Sequence, residues 1–244
     1  MLEKLIKSKQ RVQKHGEVFT PNWMVEKMLN VPGIKEACES LHKTFLEPAA
    51  GEGNFLMAIL RRKLIMVKEK YNLTLKQYEN YSLYALSTIY GIELLEDNAQ
   101  VCVMNMFEVF KEAYIVVVNE HKGHVNFDVL NSAKVIISAN IAQGNFITKE
   151  TPEKKPIIFS EWEIKNKLNK NSQTIKVLRT EHTLAEIFEG QTKTNGRVKS
   201  LTERNHQLNI FELLEDESIE VKQVKESYSI VPITNVFKEE TYYD

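Results

Sequence analysis

The 244-residue sequence is poor in several things at once, and each shortage excludes something. Two cysteines, Cys38 and Cys102, rule out a disulfide scaffold and a cysteine-rich zinc site. No apolar run approaches the ~18 residues of a membrane span. The opening MLEKLIKSKQRVQKHG is basic but has no apolar stretch, so it does not read as a secretory signal. A cytoplasmic protein of a reducing compartment, with no membrane partner, is the expectation. Net charge is also nearly absent: 32 basic and 33 acidic side chains leave -1, so nucleic acid would have to be met by a local patch. The six histidines show no metal spacing; His121 and His124 stand three apart with no cysteine or carboxylate pattern beside them. The six prolines are scattered, none after Asn, Asp or Ser, and no two are adjacent.

What is present is globular, with 43% hydrophobic and 27% charged residues. Charge is unevenly spread: residues 149–206 carry a net +4 and residues 207–244 a net -6. The basic stretch holds loop-like segments such as KNKLNKNSQT and EGQTKTNGRVKS. Within it, Asn195-Gly196, flanked by Lys193, Arg197 and Lys199, reads as a hairpin tip for a phosphate backbone or as an ordinary exposed turn.

Apolar spacing predicts helices over residues 1–13, from Pro21 to Leu29, over 54–70, over 74–87 and from Asp97 to about Val117. Strands are expected at TFLEP (44–48), TIYGIEL (88–94), NIAQGNF (140–146) and PIIFSEW (156–162). Strands alternating with helices predict an α/β chain with a doubly wound, mostly parallel sheet. The expected organisation is an N-terminal helical segment, 1–43, and one domain over 44–244.

The segment FLEPAAGEGNFL (45–56) carries the most chemistry. Gly51 and Gly53 permit a tight turn and close approach of a ligand, and a long helix follows with its unpaired N–H groups. A dinucleotide phosphate would suit that helix end, but Glu47 and Glu52 flank the turn and would repel it. They suit a ligand bearing ammonium or sulfonium together with hydroxyls. The third glycine of the dinucleotide fingerprint is also missing. The alternative is a plain glycine turn with no ligand. Glu93, at the end of the next strand, stands where ligands bind in open α/β sheets and is fit to accept ribose hydroxyls. In GEVFTP (16–21), Phe19 suits packing on a sulfonium-bearing chain and Thr20 and Pro21 open a helix. In QGNF (143–146), Asn145 is placed to bond the amino edge of an adenine and Phe146 to stack on its ring.

Taken together, these residues resemble class I S-adenosylmethionine (SAM)-dependent methyltransferases, and among them the adenine-N6 DNA methyltransferases (M subunits) of restriction–modification systems. The resemblance covers about residues 11–162 and implies a Rossmann-like fold with SAM as cofactor. Carried over motif by motif, it implies that Phe19, Thr20 and Pro21 hold the methionine part of the cofactor. It implies that Glu47, Pro48, Ala49, Gly51 and Gly53, closed by Phe55, form the cradle. Glu93 would bind ribose, and Asn145 and Phe146 the adenine. Asn145 departs from the family's usual acid. The family's catalytic loop, an Asn, Asp or Ser followed by Pro-Pro and an aromatic residue, has no counterpart. Glu161 and Trp162, at the end of PIIFSEW, are the residues expected to stand in for it. The implied activity is methyl transfer to adenine N6 in DNA. The alternative is a non-catalytic SAM-binding subunit or sensor that needs a partner chain, such as a specificity or nuclease subunit. Cytosine-C5 chemistry would need a Pro-Cys nucleophile; Cys38 and Cys102 lie on helical patterns and are assigned to packing.

Overall fold

The computed structural model describes residues 7–169, 171–189 and 226–243. In chain order the elements are α1 (Lys9–His15), α2 (Asn22–Leu29), α3 (Ile34–Cys38), β1 (Phe45–Glu47), α4 (Asn54–Lys70) and α5 (Leu75–Leu86). Then come β2 (Ile89–Glu93), α6 (Glu96–Glu120), α7 (Phe127–Asn140), β3 (Ile141–Gln143), β4 (Ile158–Ile164), β5 (Lys176–Thr183) and α8 (Leu184–Glu189). The last are β6 (Glu226–Tyr228), β7 (Val231–Pro232), a 3-10 turn (Ile233–Lys238) and β8 (Thr241–Tyr243). The Asn195-Gly196 turn with its flanking lysines lies outside the described residues.

The chain is α/β, and its central sheet is small. Strands β1, β2 and β3 pair in that order and all in parallel, with Phe45 opposite Ile89 and Gly91 opposite Ile141. Each parallel step needs a long crossover, and each is supplied by two helices, α4 and α5, then α6 and α7. Side chains alternate across β2. Ile89 joins the large core among the helices, where Leu56, Leu60, Tyr81, Phe110 and Ile136 are fully buried. Ile92 points to the other face, into a smaller core with Ile157, Phe159 and Leu184.

Helices α4 to α7 pack on one another in the larger core, while β4 and α8 contribute to the smaller one, so elements lie on both faces of the sheet. One expectation is corrected here. PIIFSEW does form a strand, β4, but it does not extend the parallel sheet. It pairs antiparallel with β5, which pairs antiparallel with β7. The reason lies in the connection. Between Gln143 and Ile158 no helix forms; the loop folds on itself through bridges from Glu150 to Asn145 and Pro156. Without a crossover the chain doubles back, so it runs from Ile157, beside Gly144 past the end of β3, along β4 to Trp162, beside Asn140 at the start of β3, and β5 then returns along β4. Tyr90 donates from its hydroxyl to the Ser160 carbonyl at 2.9 Å, which locks β4 beside β2.

A buried lysine and a buried ionic cluster shape the periphery. Lys63 of α4 has no exposed surface and donates to the carbonyls of Ser40 and Lys43 at 2.8 Å each, closing the loop that delivers β1. Burial pushes its ammonium down to about 8. On β5, Arg179 lies over the rings of Trp162 and Tyr228 and pairs with Glu181 at 3.1 Å. Glu239 sits 3.7 Å from Arg179 with its side chain 3% exposed. Burial raises its carboxyl to about 7 against the pull of the guanidinium, and Glu181 adds to the rise.

Candidate functional site

The carboxyl ends of β1 and β2 are joined by one side chain. After β1, Ala50 donates its N–H to the Ile92 carbonyl, and Gly53 turns back to the Ala50 carbonyl, both at 2.9 Å. Gly51 takes φ of +56° and Gly53 +93°, backbone that favours glycine. The Gly51 N–H then donates to Glu93 Oε2 at 2.8 Å. Glu93 Oε1 accepts the Leu95 N–H at 2.9 Å, so this nearly buried carboxylate ties the turn to the start of α6. A carboxylate has about four lone-pair sites, so Oε2 keeps room for one more donor, such as a hydroxyl.

The other residues of the cradle hold this turn. Glu47 Oε1 accepts the Ala49 N–H at 3.2 Å. Gly53 is pressed against α6, where an added Cβ would lie 2.9 Å from Cys102 Sγ. Burial pushes that thiol up to about 12, so it stays an inert packing group. Asn54, the first residue of α4, donates to the Thr20 carbonyl at 3.1 Å and so docks the Phe-Thr-Pro segment. The Phe19 ring comes within 3.8 Å of the point where a Gly51 Cβ would stand. Phe55 packs partly buried against the large core.

An ionic network, which the sequence reading did not find, lies over this end of the sheet. Arg11 of α1 pairs with Glu17 and grips Asp97 with two bonds of 2.9 and 3.0 Å. Asn98 donates to Glu17 at 2.8 Å and lies 3.4 Å from Glu93 Oε1. Lys7 donates to Asn98 Oδ1 at 2.6 Å and pairs with Glu52 at 2.8 Å and Asp97 at 3.3 Å. The hydrogen bond from Arg11 holds the Glu17 carboxyl below its ordinary range and takes Asp97 down to about 2. Burial lowers the Lys7 ammonium, but its bonds to Glu52 and Asp97 outweigh that and the net shift is upward. The available signals were Glu17 inside GEVFTP and Asp97-Asn98 inside GIELLEDNA, both within segments already singled out.

No family model, curated protein or solved structure matches the chain. The site therefore rests on its own geometry. Its acids, Glu47, Glu52, Glu93 and Asp97, suit a ligand with a positive centre and hydroxyl groups better than a phosphate. Among the described residues no group of three His, Cys, Asp or Glu is arranged to hold a metal, and no helix is long and apolar enough to cross a membrane.

The structure brings Phe19, Thr20, Pro21, Glu47, Pro48, Ala49, Gly51, Gly53 and Glu93 together, but not every candidate. Gly144 donates to the Glu93 carbonyl, which sets the QGNF turn beside β2. Yet Asn145 Oδ1 accepts the N–H groups of Ile147 and Thr148, so it caps its own loop. Phe146 makes an edge contact with Phe188 and packs on the smaller core. Glu161 and Trp162 are farther still. Trp162 is buried and donates from Nε1 to Asn140 Oδ1 at 3.1 Å. Asn140 in turn donates to the carbonyls of Ser87 and Ile89, where β2 begins. Glu161 lies 3.4 Å from His182 Nε2 on β5. The pair expected to replace a catalytic loop is thus directed to the opposite end of the sheet from Gly51. The cause is again the reversed direction of β4.

Proposed function

We propose that this chain is a SAM-binding, methyltransferase-like protein of a restriction–modification type system. The hydrogen bond from Gly51 to Glu93 beneath Phe19 is the observation that carries this reading. It puts a glycine turn, an aromatic ring and a strand-end carboxylate at one place, at the carboxyl ends of parallel strands where open α/β sheets take ligands. The β1-β2-β3 order with helical crossovers supports a Rossmann-like, class I methyltransferase fold for this part of the chain. In this reading Glu93 accepts a ribose hydroxyl through Oε2, Phe19 packs on the methionine chain, and the Gly51 turn leaves space for both. SAM supplies an electrophilic methyl on a sulfonium, and the surrounding carboxylates favour that positive centre. Where the protein acts as an enzyme, its substrate is adenine N6 in DNA.

The reading is tested by titrating the purified chain with SAM and S-adenosylhomocysteine in a calorimeter. One-to-one binding of both is expected; a folded protein that binds neither removes the reading. Transfer of labelled methyl to DNA then separates enzyme from sensor.

One observation favours the non-catalytic alternative. Glu161 and Trp162 are turned away from the cradle, and the sequence has no other acceptor loop. Among the described residues, the outer edge of β1 also pairs with no strand. A partner chain would then supply what accepts the methyl group, and labelled transfer would appear only with neighbouring gene products present.

A further inference from the structure

Lys7, the first of the described residues, reaches the glycine turn. Its ammonium is held by Glu52 of the turn at 2.8 Å, by Asp97 at 3.3 Å and by the Asn98 amide oxygen at 2.6 Å. It also lies 5.9 Å from the centre of the Phe19 ring, within cation–π range. Two carboxylates, an amide oxygen and an aromatic face form the set that recognises an alkyl ammonium or sulfonium. The same Phe19 ring lies 3.8 Å from where a Cβ on Gly51 would stand. The segment carrying Lys7 is fastened separately, by Arg11 to Asp97 and Glu17, so the lysine is delivered to this position. Helix α1 is capped at both ends, by Ser8 accepting from Arg11 N–H and by Gly16 at φ +65°, which makes it a unit able to move as one piece.

We infer that Lys7 is a tethered occupant of the cation subsite beside Gly51, and that α1 is an intramolecular strap which a sulfonium-bearing ligand must displace. The inference rests on the proposed cofactor reading and adds its regulation. A ligand whose site is filled in part of the molecules binds with an affinity reduced by the free fraction. S-adenosylhomocysteine keeps the α-ammonium but lacks the sulfonium, so a subsite that takes the sulfonium leaves it feeling the lysine less.

The unmodified protein and Lys7→Met are titrated with SAM and with S-adenosylhomocysteine. The variant is expected to bind SAM tighter by on the order of fivefold or more, with a change below about twofold for S-adenosylhomocysteine. Amide exchange of residues 9–15 in the unmodified protein provides a second readout that needs no variant. SAM should speed exchange there as the strap leaves. SAM binding that is no tighter in Lys7→Met, or weaker, overturns the strap while leaving the cofactor reading intact. So does slower exchange of α1 in the presence of SAM. Failure of both folded proteins to bind SAM at all overturns the cofactor reading and the strap with it.

Discussion

Gly53 shows how a single position can be demanding twice over. Its φ of +93° strains any side chain, and a Cβ would sit 2.9 Å from Cys102 Sγ. Gly53→Ala is expected to cost about 1–3 kcal/mol through overpacking and backbone strain together. That is a fall of several degrees in midpoint for a chain of this size, and SAM affinity should fall with it. Adding Cys102→Ala relieves the contact but not the dihedral angle, so the double variant should recover part of the stability. Full recovery, or none, in thermal unfolding would contradict this division. Trp162 gives the opposite pattern. Trp162→Phe leaves Asn140 Oδ1 without its indole donor and should cost about 1–2 kcal/mol, yet SAM affinity should not change. A loss of binding would mean that Trp162 reaches the cradle after all.

Legibility differs from element to element. The α4 helix shows in the sequence because Leu56, Ile59, Leu60, Leu64 and Val67 recur at helical spacing. The α7 helix does not show. Its core, KVIISA, runs three β-branched residues together, which fits strand and helix alike, and its Asn126 cap and its packing on α5, α6 and the 3-10 turn decide. The direction of β4 is equally silent, since it depends on whether the preceding loop makes a crossover. The glycine turn and Glu93 were legible as local motifs. The ionic network over them was not, because Arg11 and Asp97 are 86 positions apart and no spacing rule joins them. That network also predicts a pH response of α1. Asp97 has its folded-state carboxyl held at about 2, below its ordinary 3.8, so its contribution is present above pH ~4 and is lost as pH falls towards 2. Amide protection of residues 9–15 should therefore drop across that range before the helical layer unfolds. Simultaneous loss in both regions would show that α1 is not a separate unit.

At the scale of the whole molecule, stability should pass through neutral pH with a distinctive slope. Glu239 has its folded-state carboxyl raised from 4.5 to about 7, so the native chain binds the proton more tightly than the unfolded chain does. Stability from this group is then full below pH 4.5 and declines as pH rises to 7, by up to about 3 kcal/mol. Glu239→Gln should flatten that decline and leave the variant more stable than the parent at pH 8, as read by denaturant midpoints. An unchanged slope would place the effect elsewhere. The same cluster joins the last described segment to β5, so the variant tests how firmly the chain's end is held.

The two thiols also make a pair of clocks. Cys102 lies sealed beneath the Gly53 turn, and Cys38 lies fully buried at the end of α3, near the loop that Lys63 closes. Neither can be alkylated until its cover lifts. Measured side by side in one sample, their labelling rates report opening of the cradle and opening of the helical layer separately. Any ligand that settles into the turn should slow the first clock and leave the second running at its former pace.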